Sequence, residues 1–169
     1  MIRAIFLDVD GTLISFSTHE IPASARRALT QAHERGVRLF IATGRAANDL
    51  GPLEGIPYDG VVSLNGARCV ANDGRVVSLH PIPRADFERA LALSEEQDFA
   101  MGLELEEGVF VNRVTPDVER VAHMVAHPVP EQTDLRELFG RVECCQLCFY
   151  FDAETQRRVM AELPTLVAS

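Results

Sequence analysis

The sequence predicts an α/β protein, a doubly wound parallel sheet followed by an α+β segment. Three observations point to it. Short apolar runs at residues 2–7, 37–42 and 61–64 each stop abruptly at polar residues, and helical patterning lies between them. Beyond residue 66 the rhythm changes to paired short strands around Asn72-Asp73-Gly74 and Glu106-Glu107-Gly108, both hairpin signals. The composition, 47% apolar over 169 residues, supplies enough hydrophobic surface for a packed core.

The elements follow in chain order. Residues 2–7 read as a strand buried on both faces, as in a parallel sheet. Residues 22–35 form a helix with Pro22 in its first turn and a stripe of Ala25, Leu29, Ala32 and His33; Gly36 suits the position just past its end. Residues 37–42 are a second strand, 46–53 a short helix and 61–64 a third strand. Residues 68–70 and 76–79 make the first hairpin. Residues 83–97 are an amphipathic helix, and 100–105 and 109–112 the second hairpin. Thr115 caps a helix through residue 126, with Pro116 at its first position. Residues 127–131 carry two prolines and read as a loop, 142–152 as a long strand and 153–163 as a helix. The natural division falls between residues 66 and 82, giving segments 1–80 and 81–169.

Charge narrows the function. Sixteen basic residues, all of them Arg, face 25 acidic ones, a formal net of −9. Such a chain is a poor partner for nucleic acid or an anionic membrane. No apolar run approaches the roughly 18 residues that cross a bilayer, and the apolar start is too short for a signal peptide. The expected location is cytoplasmic. Cys144, Cys145 and Cys148 form Cys-Cys-Gln-Leu-Cys, a half-site for zinc without a second pair, and they lie in a run that reads as a buried strand. Core packing is the expectation for them, and for Cys69 nothing more specific. The five His residues show no ligand spacing with a partner. Glu104, Glu106 and Glu107 read as a solvated turn.

Polar clusters end the first three strands: Asp8-Val9-Asp10-Gly11-Thr12, Thr43-Gly44-Arg45 and Asn65-Gly66. Ligands of open α/β sheets bind beyond the carboxyl ends of the strands, so the three converge on one crevice. Asp8 and Asp10 stand two residues apart, and two such carboxylates repel unless a cation or proton intervenes. Oxygen donors of this kind suit Mg²⁺, which takes one or two carboxylates and keeps waters and substrate oxygens. Gly11 permits a tight turn, and the Thr12 hydroxyl can tie it.

The run Ile5-Phe6-Leu7-Asp8-Val9-Asp10-Gly11-Thr12-Leu13 resembles the first motif of the haloacid dehalogenase (HAD) superfamily. Ile41-Ala42-Thr43-Gly44-Arg45 resembles its second motif. Tyr58-Asp59-Gly60 followed by Ser63-Leu64-Asn65-Gly66-Ala67 resembles its Cof-like subclass, in which an α+β (type IIB) cap is inserted after the third core strand. The resemblance implies a HAD-like core over residues 1–80 and a cap over 81–169. It implies a phosphatase acting through an aspartyl-phosphate on a small phosphorylated metabolite, a sugar phosphate or a nucleotide-related one. Asp8 is then the nucleophile and Asp10 the general acid–base. Mg²⁺ is held by Asp8 and by Asp10 through its backbone carbonyl. Thr12, Thr43, Gly44, Arg45, Asn65 and Gly66 form the phosphate- and substrate-binding set, with Thr43 and Gly44 expected at a helix start, which favours anions.

The departures matter as well. The superfamily's third motif is a Lys, sometimes an Arg, and its fourth contains Gly-Asp; this chain has no Lys and no Gly-Asp dipeptide. The resemblance therefore implies an incomplete core, a chain inactive or nearly so on its own, and self-association through the first strand. Two readings from other classes stand beside it. One is a catalytically inactive fragment serving as a binding or structural module. The other is a phosphoacceptor receiver domain, against which the Asp-Gly-Thr continuation and the absence of Lys argue.

Overall fold

A computed structural model describes residues 2–15, 17–18, 20–125 and 127–167, with side chains described through residue 161. His19 and the end of the helix expected to reach residue 126 lie outside the described residues. The chain divides into two compact units, Met1–His80 and Pro81–Ser169.

The first unit is a five-stranded sheet in the order β1-β2-β3-β4-β5. Its strands are β1 (Ala4–Leu7), β2 (Arg38–Ala42), β3 (Gly60–Ser63), β4 (Arg68–Ala71) and β5 (Val76–Leu79). The first three are parallel, and β4 and β5 return antiparallel. Helix α1 (Ala23–Glu34) joins β1 to β2. It ends at Gly36, whose φ of +82° only Gly adopts without strain. There Gly36 N–H donates to the His33 carbonyl and Val37 N–H to that of Ala32, a Schellman closure. Leu29, Leu39, Ile41, Leu53 and Val61 pack into one core with Val9, Leu13 and Ile14. The residues just after Asp8 are therefore anchored from below.

Gly60 shows why β3 begins with glycine. A Cβ there would lie 2.9 Å from the Val70 carbonyl oxygen and 3.4 Å from the Phe40 ring. Added bulk would have to push β4 away, which well-packed interiors resist.

Two expectations for this unit need correcting. Strand β1 is not buried on both faces. It is the terminal strand of the sheet, and Phe6 is 63% exposed, stacked on Phe40 at 4.9 Å. The helix expected over residues 46–53 is replaced by turns, with a single 3₁₀ turn at Gly51–Leu53. Asn48, Asp49, Gly51 and Pro52 are poor helix residues. The Asp49 carbonyl, moreover, accepts from Arg45 Nη1, and Arg26 donates to the carbonyls of Pro52 and Glu54. Backbone oxygens here are satisfied by side chains instead of by a helical ladder.

The second unit is a four-stranded sheet in the order β8-β7-β6-β9. It contains α2 (Arg84–Glu96), β6 (Ala100–Leu105), β7 (Gly108–Val111), α3 (Pro116–Met124), β8 (Glu131–Gln132), α4 (Leu135–Phe139), β9 (Gln146–Tyr150) and α5 (Ala153–Val167). Phe87 of α2 and Leu135 of α4 pack with Met101, Leu103 and Leu105 of β6. Val118 of α3 packs with Ala100, Val111 and Tyr150 in a separate cluster. Thr115 caps α3 as expected, its Oγ1 accepting from Val118 N–H at 3.4 Å.

Three details depart from the sequence reading. Residues 131–132 are not loop but a two-residue strand parallel to β7. Helix α4 was not expected; Asp134 initiates it, its carboxylate accepting from Arg136 and Glu137 N–H at 2.8 and 3.0 Å. The strand expected over 142–152 is only Gln146–Tyr150, because Cys144 turns its carbonyl to Ile82 N–H at 2.8 Å before pairing begins.

Candidate active site

The three polar clusters stand at the carboxyl ends of β1, β2 and β3. Leu7 pairs with Ile41, and Ala42 with Val62, so each cluster follows its strand from neighbouring register positions. The backbone closes tightly after β1. Leu13 and Ile14 N–H both donate to the Val9 carbonyl, and Gly11 N–H, at a φ of +78°, donates to that of Ile14. With Val9, Leu13 and Ile14 buried, this loop is tied to the core while Asp8, Asp10 and Thr12 face outward.

Thr12 Oγ1 donates to Asp8 Oδ2 at 2.8 Å. This fixes the carboxylate by one oxygen. The Asp10 carboxylate meets Arg45 in a two-pronged pair: Nε to Oδ2 at 2.9 Å and Nη2 to Oδ1 at 2.8 Å. The same guanidinium is held from its other side by Asp49, Nη1 reaching the carbonyl and Oδ2, both at 3.2 Å. The Arg45 pKa is raised above its ordinary range, chiefly by the hydrogen bond to Asp10 and against the loss of water on burial. The resemblance implied a place for Arg45 on phosphate or substrate. The structure places it on Asp10 and Asp49 instead. The i, i+4 spacing of Arg45 and Asp49 is the signal in the sequence that points to this pair.

Thr43 is buried, and its Oγ1 accepts from Arg45 N–H at 3.1 Å. An accepting hydroxyl keeps its own O–H as a donor. Thr43 and Gly44 do not stand at a helix N-terminus, because no α-helix follows them. Their conformation is set from β3: Leu64 N–H donates to the Arg45 carbonyl at 3.1 Å, and Asn65 N–H to that of Thr43 at 3.2 Å. Leu64, Asn65 and Gly66 have φ of +49°, +54° and +96°. Leucine rarely adopts that region, and such strain collects at functional sites. The Asn65 side chain lies over Gly44, where a Cβ would meet its Oδ1 at 3.2 Å.

The donor set that Mg²⁺ would meet is oxygen only: the Asp8 carboxylate and the Asp10 main chain. That fits an ion which binds through one or two carboxylates and otherwise keeps water and phosphate oxygens. Among the described residues no group of three or more His, Cys, Asp or Glu side chains is gathered as a ready-made metal cage.

The second unit holds a polar group that the sequence reading misjudged. Glu104 is not part of a solvated turn. It lies on β6 beside β9, half-buried, and accepts from Gln146 Nε2 and from Cys148 Sγ, the latter at 3.6 Å. Cys144 packs among Phe87, Met101 and Leu103, whereas Cys148 packs with Ala100, Val111 and Tyr150. Burial pushes the Cys144 thiol up to about 11 and the Cys148 thiol up to about 12, from an ordinary 9.0. The Tyr150 phenol is likewise raised, first by burial and then by Cys148. A raised thiol pKa means that the folded chain holds the proton more tightly than the unfolded chain. The stability this contributes is complete below pH 9 and is lost as pH rises toward the folded values. It also predicts inertness. At pH 8, alkylation of Cys144 and Cys148 by iodoacetamide is expected to be about a hundredfold and a thousandfold slower in the folded than in the unfolded chain. Mass spectrometry of timed samples measures this, and equal rates in both states would contradict the burial argument.

The family model for haloacid dehalogenase-like hydrolases matches residues 5–169. BT1666 from Bacteroides thetaiotaomicron, described among phosphatases of the haloalkanoate (HAD) enzyme superfamily, superposes with a TM-score of 0.89 at 54% identity. The similarity covers 96% of this chain and 61% of that one. BT4131, described as a HAD subclass IIB sugar phosphatase, superposes with a TM-score of 0.80 at 28% identity over 96% of this chain and 64% of that one. YkrA of Bacillus subtilis (strain 168), which carries a phosphatase name, is 30% identical over 95 residues, 56% of this chain and 36% of its own. This chain thus spans less than two thirds of each of these relatives.

Proposed function

The chain belongs to the haloacid dehalogenase-like hydrolases, and from that premise we propose that it carries the nucleophile half of a Mg²⁺-dependent phosphatase site acting on a small phosphorylated metabolite. The observation that carries this is Asp8 at the carboxyl end of β1, with Oδ2 held by Thr12 and Asp10 two residues beyond. Sugar phosphates are the favoured substrates, because the fold of BT4131, a sugar phosphatase, matches 96% of this chain. No helix among the described residues is long and apolar enough to cross a membrane.

Asp8 attacks phosphorus through the oxygen that Thr12 does not hold. The Asp8–phosphorus bond forms as the ester P–O bond breaks, and the bonding pair leaves with the alkoxide. Asp10, protonated at that moment, gives its proton to the leaving oxygen. Asp10 then takes a proton from water as that water attacks phosphorus, which breaks the aspartyl bond and restores Asp8. The Thr43 hydroxyl and the backbone around Gly44 hold phosphoryl oxygens, while Asn65 and Gly66 shape that loop. Asp8 and the Asp10 carbonyl would hold Mg²⁺, which would offset repulsion between the anionic nucleophile and the anionic phosphate.

The direct test is phosphate release from a panel of sugar phosphates by the full-length protein that carries these residues, with Mg²⁺ and after its removal by EDTA. Release that vanishes with the metal and returns on its addition is expected. Release indifferent to EDTA, or none from any phosphate monoester, would sink the reading. The terminal position of β1 and the exposed Phe6 also favour pairing with a second copy of the chain. Light scattering is expected to find species larger than a monomer, shifted toward monomer by Phe6→Lys. A concentration-independent monomer would refute it.

A further inference from the structure

Asp10 does not stand alone at the end of β1. Both of its carboxylate oxygens accept from one guanidinium, which in turn is gripped by Asp49 through a carbonyl and a carboxylate oxygen. Four donor contacts fix Arg45 in a single plane, and its backbone N–H is taken by Thr43. Its side chain is only 23% exposed, whereas that of Asp10 is 43% exposed. The more buried partner is thus the cation, and the carboxylate stands nearer to water. A two-pronged pair of this kind sets the direction of a carboxylate as well as its distance.

We propose that Asp49 and Arg45 form a positioning relay for the Asp10 carboxylate: Asp49 orients Arg45, and Arg45 orients Asp10. This assigns Arg45 a role other than binding phosphate, and it assigns Asp49 a role in the chemistry exerted through its hydrogen bonds to Arg45. The functional consequence rests on the reading of Asp10 as general acid–base. The geometric claim does not.

Two kinds of measurement separate these claims. The first is NMR of the folded chain, labelled with ¹³C and ¹⁵N, following the Asp10 carboxylate carbon and the Arg45 Nε–H. Asp49→Asn is expected to shift both signals, and Asp10→Asn to move Arg45 Nε–H toward that of a free arginine. An Asp10 carbon unmoved by Asp49→Asn would overturn the relay. The second is Mg²⁺-dependent hydrolysis of p-nitrophenyl phosphate by the full-length protein. Misplacing a catalytic group by about an ångström costs up to about a hundredfold in rate. Arg45→Ala and Asp49→Asn are therefore expected to lower kcat by between about tenfold and a hundredfold, with KM changed less than about threefold. Arg45→Lys is expected to restore little, because an ammonium cannot span both oxygens. Arg45→Ala should add nothing in an Asp10→Asn background. A tenfold rise in KM with kcat retained, persisting in the Asp10→Asn background, would make Arg45 a phosphate ligand and overturn the proposal. Should the unsubstituted full-length protein hydrolyse nothing, the phosphatase reading fails while the NMR result still decides the relay.

Discussion

In the full-length protein, replacing Asp8 by Asn is expected to lower Mg²⁺-dependent phosphate release on the order of a thousandfold or more, the scale seen when an enzyme loses its nucleophile. The substitution keeps the shape and removes the charge. An amide oxygen still accepts from Thr12, whose Oγ1 lies 2.8 Å from Asp8 Oδ2. The loop itself is held by the Val9 carbonyl and by the buried side chains of Val9, Leu13 and Ile14, none of which changes. The loss should therefore appear in turnover and not in folding. An unfolding midpoint close to that of the unsubstituted chain, measured beside the phosphate assay, establishes this. Near-normal release from Asp8→Asn would remove the aspartyl-phosphate mechanism, whatever the fold.

Asp10→Asn offers a sharper contrast within the same loop. It removes a proton carrier and also one end of the Arg45 pair. Its effect on rate therefore mixes lost chemistry with a released guanidinium, whereas that of Asp8→Asn does not. For this reason Asp8 is the cleaner test of the nucleophile, and the relay is better probed from Asp49.

The positions of the candidate residues at the strand ends were legible in the sequence, because an apolar strand that ends in polar residues announces itself in one dimension. Asp8, Thr43 and Asn65 all follow apolar runs that the structure pairs in register as β1, β2 and β3. Their partners were less legible. Residues 46–53 look helical from their neighbours, yet Arg45 and Arg26 draw the backbone carbonyls of this stretch into side-chain hydrogen bonds. That competition is a tertiary fact. The pairing of Arg45 with Asp10 spans 35 positions and is invisible to local pattern. Glu104 misled for a related reason. Three acidic residues near a Gly read as a solvated turn, but Glu104 lies one pleat inside β6, opposite Gln146 of β9. The exposure of β1 was legible through the resemblance, which implies an incomplete core with the first strand at its edge; apolar content alone reads it as buried on both faces, because a terminal strand carries the same residues as a central one.

Replacing Phe87 by Ala is expected to destabilise the second unit by about 3–5 kcal/mol, the usual cost of deleting a buried aromatic ring. Phe87 is fully buried on α2 and stacks on Phe139 of α4 with ring centroids 4.1 Å apart and planes 8° from parallel. It also packs with Met101, Leu103 and Leu105 of β6, so its ring joins two helices to the sheet. Collapse into the vacated space is hindered from each side. Helix α4 is a single short element pinned by Asp134 at its start, and β6 is held between β7 and β9. The cavity term should therefore add fully to the lost transfer energy. The chain supplies its own reporter, because it has no Trp and only two Tyr, Tyr58 in the first unit and Tyr150 in the second. In a Tyr58→Phe background, Tyr150 fluorescence follows unfolding of the second unit alone, and denaturant titration gives the difference on adding Phe87→Ala. Phe87→Leu should recover a large part of the loss, since it refills most of the volume without the ring stack. A loss below about 1 kcal/mol for Phe87→Ala would mean that α2 and α4 close over the gap, and that the Phe87–Phe139 stack is not what joins them to the sheet.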